Sequence, residues 1–264
     1  MIQNKKREKE KNMKKIQKIA AAALALTMIF GAAGCGSGGS AKGEAKNIVI
    51  GISPDYPPYD DLTTSGELTG FDYDMGEWLF NWMSENGYSY THEWKQLSFD
   101  TIISAIQADQ VDLGISGFTY DKDRKVLFSD TYLTSGEVAL VTADSDIAAL
   151  DDLKGKKIGA QLGTTGEQCA NEVEGADVHA ESDMGILVES LKGGALDAVI
   201  MDEAVGENYE ATGNFKVVDG KLLDEDNYII AKEGNTELMD AVNKALAAFK
   251  ESDDYAKLKE KYGL

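Results

Sequence analysis

Three polar features of the sequence have the side chains and the setting to bind a charged small molecule. The segment LGTTG (162–166) precedes a helix predicted to begin at Thr165, and the unpaired N–H groups of a helix N-terminus attract anions. Arg124 carries a planar guanidinium that can hold a carboxylate through two charge-assisted hydrogen bonds. Asp202 follows the apolar run Leu196–Met201, and ligands of open α/β sheets gather where such strands end.

Each of these features also has a purely structural explanation. Arg124 lies close in sequence to Asp121 and Asp123, and an exposed arginine would form ordinary surface ion pairs with them. Threonine and aspartate are common helix N-caps, which would account for Thr165 and Asp202. The residues alone leave these alternatives open.

Composition excludes several other kinds of chemistry. The chain has two histidines and two cysteines, all far apart in sequence, so no metal-ligand spacing and no cysteine–histidine pair is expected. Its formal net charge is −20, which argues against nucleic acid as a partner because such binding needs a basic surface. No disulfide is expected in the mature fold, and no cofactor is predicted.

The first 34 residues have the pattern of an export signal. A basic stretch leads into the apolar run Ile19–Ala33, which is shorter than the roughly 20 residues that a membrane-spanning helix needs. The small residues before Cys35 resemble a bacterial lipobox, which implies lipidation of Cys35; ordinary cleavage without lipidation is the alternative. Residues 35–46 are predicted to be a flexible tether, and Met13 is an alternative start.

From Asn47 onward, strand-like runs alternate with amphipathic helical runs, which predicts an α/β fold with mostly parallel sheets. In the first helix, Met75, Leu79 and Trp82 share one face. Ser98 is in position to cap the next helix, residues 111–116 are predicted to be extended, and a closing helix is predicted over residues 236–251. Composition shifts after residue 142, where a second unit with its own alternation begins.

Several motifs along the chain carry a family resemblance. They are GISPDYPPYD, GFDYDM, VDLGISGFTYDKDR, FSDTYLTSG, LKGKKIGAQLGTTG and LDAVIMDE, in this order. With them, residues 47–264 closely resemble the polar amino-acid-binding solute receptors of ABC importers, which belong to family 3 of the extracellular solute-binding proteins. The resemblance implies a type II periplasmic-binding-protein fold, in which two doubly wound lobes are joined by two crossover strands.

The resemblance also implies a domain organisation and a set of partners. Lobe 1 would comprise residues 47–136 and 231–264, lobe 2 residues 143–225, and the crossovers residues 137–142 and 226–230. The cleft between the lobes would close on a free L-amino acid, and an ABC importer permease would receive it. A monomer is expected, held at the outer face of the cytoplasmic membrane by the lipid on Cys35, or else soluble in the periplasm.

By the same resemblance, Arg124 and the backbone N–H of Thr165 would bind the α-carboxylate of the amino acid, and Asp202 its ammonium group. Such partners are necessary because a buried charge without one costs several kcal/mol.

Five further residues match the ligand-contacting positions of the family. Ser116, Gly117 and Thr119 correspond to a binding turn, although an ordinary turn with a helix cap would also explain them. Tyr56 and Phe99 correspond to aromatic walls, although aromatic residues more often serve as core.

The side chain of the ligand would be recognised by Gln161 and Ser53. Ser53 occupies a position where several relatives have an aspartate for a cationic side chain, so the sequence slightly favours a neutral polar amino acid. Asp55 is two residues further on and is expected to point to the other face of an extended segment.

Two other functions remain open on the same fold. Dehydratases that resemble these receptors exist, and such an enzyme would need a carboxyl group as acid or base, for which Glu167 and Glu203 are candidates. A sensor domain that reports amino acids to a signalling protein is the third possibility. The resemblance favours the receptor, which is not an enzyme.

Overall fold

The computed structural model describes residues 45–264, in which two β-sheets are each flanked by helices. The predicted signal peptide, Cys35 and most of the tether lie outside the described residues, and Lys46, predicted to end the tether, is the first residue of a strand. The helices of the described part are α1 (Phe71–Glu85), α2 (Phe99–Gln107), α3 (Thr165–Glu172), α4 (Met184–Lys192), α5 (Glu203–Glu210), α6 (Thr236–Glu251) and α7 (Asp253–Tyr262). The predicted α/β class is confirmed.

The strands follow the alternation that the sequence predicts. They are β1 (Lys46–Ile52), β2 (Asp61–Leu62), β3 (Leu68–Thr69), β4 (Tyr90–Gln96), β5 (Leu113–Gly114), β6 (Leu127–Phe128), β7 (Leu133–Thr142), β8 (Lys157–Gln161), β9 (Asp177–Glu181), β10 (Ala198–Asp202), β11 (Phe215–Val217), β12 (Leu223–Asn227) and β13 (Ile230–Ala231). None of the helices within residues 45–264 combines the length and the apolar character needed to cross a bilayer.

The first sheet has the strand order β4-β1-β5-β13-β6. Strand β1 pairs in parallel with β4 and β5, and its alternate residues Ile48, Ile50 and Ile52 are fully buried. Helix α1 places its apolar stripe against this sheet and against α6, where Phe71 and Phe249 are in contact. The C-terminal helices therefore complete the lobe that the N-terminal strands begin.

The second sheet has the order β11-β7-β10-β8-β9, and β12 pairs with β7. Strands β8, β9 and β10 are mutually parallel in register, while β7 runs antiparallel to β10. Because β8 and β10 end on the same side, Gln161 and Asp202 come to one edge of this sheet.

The two sheets are connected through β7 and β12. The first half of β7 pairs antiparallel with β12, from Leu133 with Asn227 to Glu137 with Leu223, and its second half pairs with β10 and β11. The chain then enters the first sheet at β13. The strand pairing therefore locates the connection between the two sheets in the first half of β7 and in β12. The exact boundaries of the lobes remain a prediction.

Two local expectations need correction. Ser98 occupies the N-cap position of α2, but its side chain makes no capping hydrogen bond; its hydroxyl lies 3.3 Å from that of Thr101. The extended run predicted for residues 111–116 forms a ladder only at Leu113–Gly114, because the chain turns away after Ile115 to build the loop described next.

Candidate functional site

One cavity between the two sheets is lined by all ten residues that the sequence predicts for the ligand site. The lining residues are Ser53, Tyr56, Phe99, Ser116, Gly117, Thr119, Arg124, Gln161, Thr164, Thr165 and Asp202. It contains about 310 Å³ of space between atoms. Hydrogen bonds from Tyr56 to Asp202 and from Arg124 to Gly163 close it from one wall to the other. A more open surface groove bounded by Asp144 and Lys192 contains none of the predicted residues.

Arg124 is buried at one end of the cavity. Its guanidinium donates hydrogen bonds to the carbonyl oxygens of Thr119 at 2.6 Å and Gly163 at 2.9 Å, and it lies 5.7 Å from the ring centres of both Phe99 and Phe118. Among the described residues it makes no ion pair with a nearby aspartate. The surface ion-pair explanation is therefore excluded for this conformation.

The N-terminus of α3 lies at the same cavity. The hydroxyl of Thr164 accepts a hydrogen bond from the N–H of Glu167 at 3.1 Å and so caps the helix. The hydroxyl of Thr165 instead donates to Glu137 at 2.8 Å. Because Thr164 supplies the cap, the first N–H groups of α3 remain available to an anion.

Asp202 ends β10 and lies at the N-cap position of α5, yet its side chain makes no capping hydrogen bond. Its carboxylate accepts hydrogen bonds from the hydroxyls of Tyr56 and Ser135, each at 2.8 Å. The Tyr56 hydroxyl also accepts from the backbone N–H of Asp202 at 2.8 Å. Burial raises the pKa of Asp202, and the hydrogen bonds oppose this shift.

The turn of Ser116 and Gly117 is held by two buried carboxyl groups that the sequence analysis did not single out. The hydroxyl of Ser116 donates to Asp60 at 2.6 Å, and the N–H of Gly117 donates to Asp72 at 2.7 Å. Asp72 also accepts from the hydroxyl of Tyr132 at 2.8 Å. Burial raises the pKa of Asp72 to about 7. The motif GFDYDM contains Asp72, but only the fold brings it beneath this turn.

Asp55 lies beside Ser53, so the expectation that it points away was wrong. The Ser53 hydroxyl donates to Asp55 at 2.6 Å, and the Gln161 side chain, from the other sheet, donates to Asp55 at 2.8 Å. The N–H of Met184 donates to the same carboxyl group at 3.0 Å. Alternation fails here because β1 ends at Ile52 and a turn follows.

Two glutamates adjoin the cavity without lining it. Glu137 on β7 and Glu225 on β12 each offer a carboxyl oxygen within 4.8 Å of the other and of one on Asp202. Burial and then the nearby Asp202 carboxyl raise the pKa of Glu225 to about 7, and burial, Asp202 and Glu225 raise the pKa of Glu137. No metal-ligand spacing predicted this cluster, because the three residues meet only through strand pairing.

Neither glutamate proposed as an enzymatic acid or base lines the cavity. Glu167 accepts a hydrogen bond from the N–H of Gly163 at 2.7 Å. Glu203 forms an ion pair with Lys221 at 2.7 Å. The only ionisable groups on the cavity wall, within the described part of the chain, are Tyr56, Arg124 and Asp202.

Comparison with known proteins gives consistent likenesses over this whole region. The family model described as bacterial extracellular solute-binding proteins, family 3, matches residues 48–264. The arginine-binding extracellular protein ArtP of Bacillus subtilis (strain 168) is 32% identical over 249 residues, which cover 91% of this chain and 94% of that protein.

Solved structures agree with the sequence comparisons. An ancestral arginine-binding protein bound to arginine superimposes with a TM-score of 0.76 and 33% identity, covering 83% of this chain and 99% of that one. The ancestral amino acid-binding protein AncCDT-1, a precursor of cyclohexadienyl dehydratase, gives a TM-score of 0.74 and 32% identity, covering 82% and 95%. The predicted two-lobed type II periplasmic-binding-protein fold is thereby confirmed.

Proposed function

This chain belongs to the bacterial extracellular solute-binding proteins of family 3, and from that premise we propose that it is an exported receptor that binds a free L-amino acid between its lobes and delivers it to an ABC importer permease. The binding proteins named above support this function. No covalent step is required.

The observation that carries the proposal is the charge arrangement of the cavity. The Arg124 guanidinium and the N-terminus of α3 favour an anion, and the Asp202 carboxylate favours a cation. Among the described residues, Arg124 and Asp202 do not form an ion pair with each other. An amino acid carries one carboxylate and one ammonium group, so it can satisfy both groups at once.

Closure of the two lobes would be the working motion. The hydrogen bonds from Arg124 to Gly163, from Tyr56 to Asp202 and from Gln161 to Asp55 all join one lobe to the other. A ligand that binds groups from both lobes stabilises the closed form over the open one. The permease would then recognise the closed shape.

The side-chain end of the cavity supports an amino acid whose side chain donates hydrogen bonds. Ser53 and Gln161 are neutral, which favours a neutral polar ligand, and the Asp55 carboxyl behind them accepts a hydrogen bond from each, which leaves their own oxygens to accept from the ligand. We therefore propose an amide or hydroxyl side chain first and a cationic one second.

The deciding experiment is the melting temperature of residues 47–264 with each of the twenty amino acids, cystine and prephenate. A ligand at a hundredfold excess over its dissociation constant adds about 2.7 kcal/mol, which raises the melting temperature by roughly 5 to 10 °C for a chain of this size. A shift with one or a few amino acids supports the receptor and identifies its ligand. No shift with any amino acid would contradict it.

A dehydratase is the second candidate, and the likeness to a precursor of cyclohexadienyl dehydratase favours testing it. A buried carboxyl group with a raised pKa, such as Glu137, is the kind of acid that such a reaction needs. Formation of an aromatic product from prephenate or arogenate would support it. A sensor role would instead be supported by co-purification of a signalling protein, rather than a permease, from membranes.

For the location, we propose export followed by lipid anchoring at Cys35, with a soluble periplasmic form as the alternative. Mass spectrometry of the N-terminal peptide distinguishes them, because acylation adds a diacylglycerol mass to Cys35. An unmodified thiol, or cleavage elsewhere, would contradict the anchor.

A further inference from the structure

Three carboxyl groups meet where the two sheets are connected. Glu137 lies on β7, Glu225 on the paired strand β12, and Asp202 at the end of β10, with one oxygen of each within 4.8 Å of the others. Glu137 and Asp202 are 1% and 4% exposed, and Glu225 is half-buried. Asp202 alone lines the cavity, so the two glutamates form a layer behind it.

These carboxyl groups have little compensation for their charge. Glu137 Oε1 accepts one hydrogen bond, from Thr165, while the buried Glu137 Oε2 has no hydrogen-bond partner. Among the ion pairs of the described residues, none involves Glu137, Asp202 or Glu225. The unpartnered Oε2 of Glu137 lies next to Gly166, in the first turn of α3.

Within residues 45–264, Arg124 is the cation that acts on this cluster. The other titratable groups that face the cluster are Arg124, Tyr56, Tyr59, Asp72 and Cys169. The guanidinium of Arg124 is hydrogen-bonded to two carbonyl oxygens instead. Three carboxyl groups at this separation, two of them buried, repel one another when ionised, which favours a proton on one of them near neutral pH, and a proton shared between two of them satisfies both. One carboxyl oxygen of Glu137 lies within 4.8 Å of one on Glu225.

We propose that Glu137 and Glu225 share a proton next to Asp202 in the ligand-free protein and that binding of an amino acid releases this proton. The inference rests on the proposed function, because the ammonium group of the ligand is the charge that replaces the proton. One carboxyl O–H bond breaks, its proton passes to solvent, and the arriving ammonium compensates the carboxylate that remains. Glu137 and Glu225 are thus positioning residues of the ammonium site.

The first consequence is that affinity depends on pH. Because the bound state holds fewer protons than the free state, lowering the pH opposes binding, by up to tenfold in the dissociation constant per pH unit when one proton is released. Above the pKa of the cluster the dependence disappears, because no proton remains to be released. Between pH 8 and pH 6 the affinity should therefore fall.

The test uses the full-length protein, L-arginine and L-glutamine, which share the same α-ammonium group. Titration calorimetry at pH 7 in phosphate and in Tris, whose ionisation heats differ, should give a fraction of a proton up to one proton released per molecule bound. The double variant Glu137→Gln/Glu225→Gln should release none and lose the pH dependence. Asp224→Asn is the matched control, since its exposed side chain also lies on β12, and it should behave as the wild type.

A measurement without amino acid separates this inference from the proposed function. The infrared difference spectrum of the wild type minus the correctly folded double variant at pH 7 should contain the carbonyl stretch of a protonated carboxyl, because the bands of other protonated carboxyl groups, such as Asp72, cancel. Absence of this difference band would overturn the inference, as would binding without proton release. If neither arginine nor glutamine binds, the proposed function fails for these two amino acids. The infrared band then decides alone whether Glu137 and Glu225 hold a proton. Loss of the band on adding CaCl₂ alone would overturn the inference in favour of a metal site.

Discussion

Replacing Arg124 by alanine should weaken amino-acid binding by about 10²- to 10⁴-fold. In the structure the guanidinium already donates to two carbonyl oxygens and lies 5.7 Å from the ring centres of Phe99 and Phe118. Its remaining N–H groups can hold the ligand carboxylate through two charge-assisted bonds, each contributing about 1.5 to 3 kcal/mol. The sum of about 3 to 6 kcal/mol corresponds to that range, since each 1.4 kcal/mol is a factor of ten.

Titration calorimetry with the amino acid identified by the melting-temperature panel measures the effect. Lys122→Ala is the matched control, because it removes a cation from the same loop and the side chain of Lys122 is 77% exposed. The affinity of this variant for the amino acid should differ less than threefold from that of the wild type. Circular dichroism of the ligand-free Arg124→Ala protein checks that it folds. A folded variant that binds within tenfold of the wild type would refute the assignment of Arg124 to the ligand carboxylate.

Three further perturbations follow from the contacts around the cavity. Burial raises the pKa of Glu225 from its usual 4.5 to about 7 in the fold, so the stability that protonated Glu225 contributes is present below pH 4.5 and is lost as the pH rises through 7. Glu225→Gln should therefore remove up to about 3 kcal/mol of the decline in the free energy of urea unfolding between pH 5 and pH 8. An unchanged dependence of the unfolding free energy on pH would contradict the raised pKa. Asp72→Ala leaves the N–H of Gly117 and the hydroxyl of Tyr132 without their hydrogen-bond acceptor. It should therefore lower the unfolding free energy by about 2 to 5 kcal/mol in the same assay. A loss below 1 kcal/mol would show that other acceptors replace these hydrogen bonds. Gly117→Ala should cost only about 1 to 2 kcal/mol, because φ is +61° but an added Cβ would meet no atom within 4 Å; a greater loss would indicate a clash.

Much of the fold and the cavity could be predicted because the signals are local. Helix α6 occurs at its predicted bounds, Thr236–Glu251, because its apolar residues repeat at helical spacing and Pro is absent. Nine of the ten predicted cavity residues, all except Phe99, lie within the family motifs, so the resemblance brought together residues such as Ser53 and Thr165 from distant parts of the chain. Their role in binding remains a prediction.

The residues that were missed depend on tertiary structure. Asp55 was placed on the wrong side because a turn, and not an extended strand, follows Ile52. Glu137 and Glu225 carry no pattern of their own, and only the register of β7 with β12 brings them together. Asp60 and Asp72 are fully buried acids that resemble ordinary surface residues in the sequence. Single-sequence periodicity contains no information on such distant pairing.

The position of β13 constrains when the first lobe can form during synthesis. Ile230 and Ala231 lie between β5 and β6, inside the first sheet, although they follow the entire second lobe in the chain. A nascent chain that has emerged only as far as β12 lacks this interior strand and also the two C-terminal helices. The first lobe therefore cannot complete its core until nearly all of the polypeptide is available.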